Sequence, residues 1–179
     1  MKFPRTLTVL EIMIVVAAAL AVAALLFPFY RANQHKQRFE QACFQLARIE
    51  SWLGAYQHRY GDYPRPTGEA VNHNNESMIS ALRAARVLDE RELAGWLEDT
   101  DGDGVPELVD PWGNPWIYFH PSVYNAEMPV YKIGGRSVSV RAAREGDSFV
   151  HPNRYQLWSC GPNQTDETGQ GDDCGNIRQ

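Results

Sequence analysis

From Leu7 to Tyr30 the chain is apolar at nearly every position, and Glu11 is the one charged residue inside the run. About 23 residues rising about 1.5 Å each cover a hydrocarbon core of about 30 Å, so the pattern predicts a membrane-spanning helix. A cleaved secretory signal is the competing reading, but its apolar stretch is about 7–15 residues long and ends in small residues, whereas this one ends Phe27-Pro28-Phe29-Tyr30. The pattern then changes period. Phe39, Cys43, Leu46, Ile49, Leu53, Tyr56 and Tyr60 recur every three or four positions, with Lys36, Arg38, Gln41, Gln45 and Arg48 between them. That is one apolar stripe on a helix. Only Gly54 weakens the stretch from Tyr30 to Gly61, so span and stripe are expected to form one helix of about 54 residues, roughly 80 Å long. It should stop at Tyr60-Gly61-Asp62-Tyr63-Pro64, where glycine allows a left-handed turn and the residue before proline leaves the helical region.

Beyond it, Asn72-His73-Asn74-Asn75 reads as a loop whose last residue caps a helix over Glu76–Arg86, with Met78, Ile79 and Leu82 inward; a short helix follows over Asp89–Leu97. The β-rich runs Trp116–Phe119, Val130–Ile133, Ser137–Arg141 and Tyr155–Trp158, divided by Pro, Gly and Asn clusters, predict short antiparallel strands. The fold class is α+β: a long N-terminal helix on a small antiparallel sheet domain. After the span roughly 140–150 residues remain, enough for one domain.

Charge refines this picture. Residues 1–38 hold five Lys or Arg against one Glu, a net of +4, which leaves −9 for residues 39–179 within the total of −5. Lys2 and Arg5 precede the span, the basic flank that stays cytoplasmic, so the acidic domain faces outward. Its sign excludes nucleic acid as a partner. Glu11 is the costly residue: a carboxylate on a spanning helix costs about 2.5–3.5 kcal/mol and requires pairing, unless it snorkels to the headgroups in a plain signal anchor.

Leu7-Thr8-Val9-Leu10-Glu11, with Pro28 further along the helix, resembles the start of the type IV pilin and pseudopilin family. The resemblance implies a leader, residues 1–6, cut between Thr6 and Leu7 by a prepilin peptidase that also methylates Leu7. Thr6 departs from the glycine usual before that cut. It further implies that 7–30 forms the filament core, that 31–60 continues the helix, that 61–179 is a periplasmic pseudopilin domain, and that Pro28 loosens the helix. The amine freed at Leu7 would be cationic and pair with Glu11 of a neighbouring subunit, setting register. Tyr60-Gly-Asp-Tyr-Pro64, Asp110-Pro-Trp-Gly-Asn-Pro-Trp116 and Ser159-x-Gly-Pro-Asn163 narrow the resemblance toward the major pseudopilin of type II secretion.

Two acidic stretches are candidate calcium sites. Asp99, Asp101, Asp103, Glu107 and Asp110 stand at positions 1, 3, 5, 9 and 12 of an EF-hand-like loop with Gly104 at position 6. A solvated acidic turn is the simpler alternative, and Pro106 interrupts the pattern. In the tail, the resemblance implies a calcium loop to which Asp172 and Asp173 correspond, with Asn163 in place of an expected aspartate. Cys160 and Cys174 bracket this loop; outside the cytoplasm they can form a disulfide, worth about 3 kcal/mol for a loop of about 15 residues. Cys43, on the apolar stripe, reads as a buried free thiol.

The cysteines and histidines lack zinc spacing, and no nucleophile elbow, phosphate loop or zinc-protease helix is present. The expected role is structural: a subunit anchored in the bacterial inner membrane that assembles with copies of itself into a secretion filament. Minor pseudopilins and an inner-membrane assembly platform are the implied partners. The alternatives are a membrane-tethered calcium-dependent binding module that never polymerises and a type IV pilus pilin.

Overall fold

The computed structural model describes residues 9–125 and 128–177. They begin with helix α1, Val9–Tyr60, of 52 residues. The chain divides into two compact units at Gln37 and Arg38.

In the first unit α1 is apolar on every side, and Val9, Leu10, Met13, Leu20, Leu25 and Phe29 are all exposed. A helix without a polar face suits lipid or other helices. Among the described residues α1 is the one helix long and apolar enough to cross a membrane. Pro28 lies within it and removes a backbone donor.

The second unit opens with the rest of α1, which ends at Tyr60 as its sequence predicts. Gly61 adopts φ +77° and its N–H donates to the Gln57 carbonyl (2.8 Å). The buried stripe is Ala42, Gln45, Ile49, Trp52 and Leu53. It lies to one side of the predicted one: Phe39, Cys43 and Tyr60 are exposed, and Gln45 is buried because its side-chain carbonyl accepts from the Trp116 indole (3.2 Å). Helix α2 covers His73–Ala84 and α3 covers Glu90–Leu93. Asp89 caps α3 by accepting from Arg91 N (3.0 Å).

Among the described residues nine short strands follow: β1 Leu97–Glu98, β2 Glu107–Leu108, β3 Ile117–Phe119, β4 Val130–Ile133, β5 Arg136–Ser139, β6 Arg144–Glu145, β7 Ser148–Phe149, β8 Gln156–Ser159 and β9 Cys174–Gly175. All pairings are antiparallel; β3, β8 and β9 form the central sheet, and β1–β2, β4–β5 and β6–β7 are separate pairs. The four predicted strands are present within a residue or two of their expected positions. The two-residue strands were not predicted, since two residues carry no period.

Alternation along β3 and β8 explains why both are buried throughout. Tyr118 and Leu157 face Ile49, Leu53 and Met78 in one core cluster. Ile117, Phe119 and Trp158 face Tyr131 and Ile133 in the other, where the Phe119 and Trp158 rings stack at 5.5 Å.

Candidate functional site

Three features outside the packed core carry chemistry: the N-terminal apolar helix with Glu11 in its first turn, and two groups of carboxylates. Thr6 and Leu7, the expected cleavage and methylation site, lie outside the described residues.

The first group gathers on a framework of asparagines. Asn72, in the left-handed region at φ 59°, precedes α2 and makes no side-chain cap hydrogen bond, though its carbonyl accepts from Asn75 N (2.9 Å) and Glu76 N (3.2 Å). Its side chain donates to Thr100 Oγ1 (2.9 Å) and accepts from Lys132 N (2.9 Å). Asn75 is not the expected cap: α2 starts earlier, and its buried amide donates to the Leu108 and Trp116 carbonyls (3.0 and 2.7 Å) and accepts from Leu108 N (2.8 Å). This fixes α2 against β2 and the start of β3. Glu76, one residue on, thereby comes beside the β1–β2 loop, and oxygens of Glu76, Asp101, Asp103 and Glu107 lie within 4.8 Å of one another.

The EF-hand-like set is therefore only partly assembled. Asp101, Asp103 and Glu107 converge, while Asp99 turns back on its own loop, accepting from Gly102 N (2.7 Å) and Gly104 N (3.0 Å). Glycine suits both donors, at φ +86° and +91°. Asp110 is also absent from the cluster. It is buried, accepts from Trp112 N and Asn114 N (both 2.9 Å) and from Ser159 Oγ (2.5 Å), and so ties its own turn to β8. Glu76, 25 positions before Asp101 in the sequence, takes the place that spacing assigned to these two. Burial, then the fields of Asp103, Glu107 and Asp101, push the Glu76 carboxyl up to about 7. Burial likewise raises Glu107.

In the tail, Glu167, Asp172 and Asp173 converge. Asp173 Oδ2 accepts from Glu167 N (3.1 Å) and Gly169 N (2.8 Å), and Asp172 N donates to Glu167 (3.0 Å). Oδ1 of Asp172 and Oδ1 of Asp173 are buried without a hydrogen-bond partner. Burial pushes the Asp173 carboxyl up to about 7. Asn163 stands outside the group: its N–H donates to Asp172 Oδ2 (3.2 Å) and its side chain accepts from Thr165 N (2.7 Å). Glu167 was missed, because a glutamate in a polar tail carries no periodic or spacing signal.

The tail cysteines are not bonded to each other; all three cysteines are free. The sulfur next to Cys174 Sγ is that of Cys43, at 3.7 Å. Cys43, expected to be buried, is exposed, and Cys160 is fully buried in the second core cluster.

A long apolar-then-amphipathic N-terminal helix on a small antiparallel sheet domain is the pilin-like α+β class. Within that class the chain is similar to the type II secretion system core protein G of Escherichia coli (strain K12), 25% identical over 122 residues that cover 68% of this chain and 76% of that protein. The relation is that of a G-type pseudopilin-like chain. No family model matches the chain. No solved structure matches it.

Proposed function

We propose that this chain is a structural subunit of a type II secretion pseudopilus. The observation that carries the reading is the similarity to a type II secretion core protein together with the apolar helix that bears Glu11 in its first turn. In this reading residues 1–6 are a leader, removed between Thr6 and Leu7 by a prepilin peptidase that methylates the new terminus. Residues 7–30 hold the precursor in the bacterial inner membrane, with Lys2 and Arg5 in the cytoplasm and the acidic domain in the periplasm. After extraction the same segment packs against its copies in the filament core, alongside minor pseudopilins and on an inner-membrane assembly platform. Glu11 pairs with the freed amine of a neighbouring subunit and sets register.

Calcium fits the tail of such a subunit. The buried Oδ1 atoms of Asp172 and Asp173 have no protein donor, and a hard cation ligated by oxygen supplies the missing charge. Glu167 would complete the carboxylate set, and the ion would hold the tail loop against the end of β8.

The test is Glu11→Ala in the cell that carries the secretion system. The variant is expected to insert in the membrane at the normal level, form no filaments and export no substrate. Filaments and secretion at the normal level from that variant would overturn the register role.

A further inference from the structure

Glu76, Asp101, Asp103 and Glu107 concentrate charge where neither the core nor the pseudopilin reading needs it. Among the described residues no Lys, Arg or His forms an ion pair with any of the four. Glu107 is 0% exposed. Its Oε2 is satisfied by the Thr100 N–H and hydroxyl, each at 2.7 Å, but Oε1 has no hydrogen-bond partner. The buried Oε1 of Glu76 has none either. Leaving a buried charged oxygen without a donor is costly, and Glu76 and Glu107 each bring an oxygen into the carboxylate group.

The remaining geometry suits a cation. Asp101 Oδ1 accepts from Asp103 N (3.2 Å) and its Oδ2 from the Asn72 amide (3.4 Å), while Asp103 Oδ1 accepts from Val105 N (2.7 Å), which orients both carboxylates. Oxygens on opposite sides of a calcium ion, each about 2.3–2.6 Å from it, stand about 5 Å apart. Every pair of the four oxygens lies within 4.8 Å, close enough for one ion to reach them all. With no imidazole or thiolate in the set, the donors are all hard, and four carboxylates exceed the one or two that magnesium usually takes beside its waters.

We propose that Glu76, Asp101, Asp103 and Glu107 bind a calcium ion that ties α2 to the β1–β2 loop. The site differs from an EF-hand loop, since its ligands come from a helix and a distant loop and omit Asp99 and Asp110. It is independent of the tail carboxylates and of the filament reading. Ion binding would brace the segment between the long helix and the central sheet.

The experiment uses the full chain in detergent micelles, stripped with a chelator and titrated with calcium chloride by calorimetry, with amide hydrogen exchange followed in parallel. Wild-type protein is expected to take up calcium with slowed exchange in α2 and residues 99–107. Glu107→Gln, and separately the exposed Asp103→Asn, should weaken that binding event by about tenfold or more and abolish the slowing, because affinity follows ligand charge. Asp173→Asn in the tail should leave both intact. Unchanged binding and exchange in Asp103→Asn and Glu107→Gln would overturn the site, as would the lack of any slowed exchange in wild type at about 1 mM calcium, the weak end of extracellular sites.

Discussion

One side-chain amide, that of Asn75, bonds three backbone groups on segments 33 and 41 residues away. Asn75→Ala is expected to leave Leu108 N and the Trp116 carbonyl unpaired in the core and to cost about 3 kcal/mol, read from the thermal or denaturant midpoint. The sequence displays Asn72–Asn75 as a polar cluster, which has the composition of a loop and cap. The same residues are what a buried hub needs, and only the partner strands distinguish the two. Glu76 escaped notice for the same reason: spacing within a loop can nominate Asp101, Asp103 and Glu107, but not a carboxylate on another element. Its titration is testable. The folded carboxyl titrates near 7, above its usual 4.5, and Asp173 behaves similarly from 3.8. Both groups hold protons in the folded state that the unfolded chain has already released. In chelator, stability should therefore fall as pH rises from about 4.5 through 7. Glu76→Gln should flatten that decline when thermal midpoints are compared at pH 5 and pH 8, and an unchanged slope would show that Glu76 is not the strained group.

At the scale of elements, period and packing separate what could be read from what could not. The end of α1 at Tyr60 follows from Gly61 and Pro64, and β4 matches its predicted run residue for residue. The stripe on α1 was misplaced because hydrophobicity alone favours Phe39 and Cys43, whereas Trp116 selects Gln45 by hydrogen bonding and draws its side of the helix inward. That rotation also decides the thiols. Cys43 meets β9 at Cys174, while Cys160 points into the core between the sheet and the β4–β5 pair. Burial, then the Cys43 sulfur, pushes the Cys174 thiol up to about 12. At neutral pH the buried Cys174 should therefore alkylate slowly until the protein unfolds. When oxidised by a disulfide reagent such as oxidised glutathione, the two thiols pass two electrons and two protons to the reagent. Peptide mapping under non-reducing conditions is expected to find Cys43 joined to Cys174 and Cys160 free. A Cys160–Cys174 peptide would instead restore the loop staple suggested by their spacing. The expected link would covalently fasten the outer part of α1 to β9, enclosing a far longer loop than the tail bridge and constraining the unfolded chain more.

For the molecule as a whole, two environments are written into one chain: an apolar segment with a basic flank, and an acidic domain with its own core. A helix apolar all round cannot remain in water alone, so its segment exchanges lipid for neighbouring helices if it leaves the membrane. In the proposed assembly Glu11 would make that exchange selective, since a buried carboxylate is tolerated where a cation meets it and is penalised elsewhere. The cation in the proposed assembly is the amine at Leu7, which exists only after the leader is removed. In that proposal processing is the step that would convert a tethered precursor into a subunit able to polymerise, and Thr6, bulkier than the glycine usual there, is the residue that tests it. Intact mass and N-terminal sequencing of the protein from native membranes are expected to show a chain beginning at methylated Leu7. A chain still beginning at Met1 would keep the charges of Lys2 and Arg5 ahead of the apolar segment, hold it in the bilayer, and lack the Leu7 amine that the proposed role of Glu11 requires.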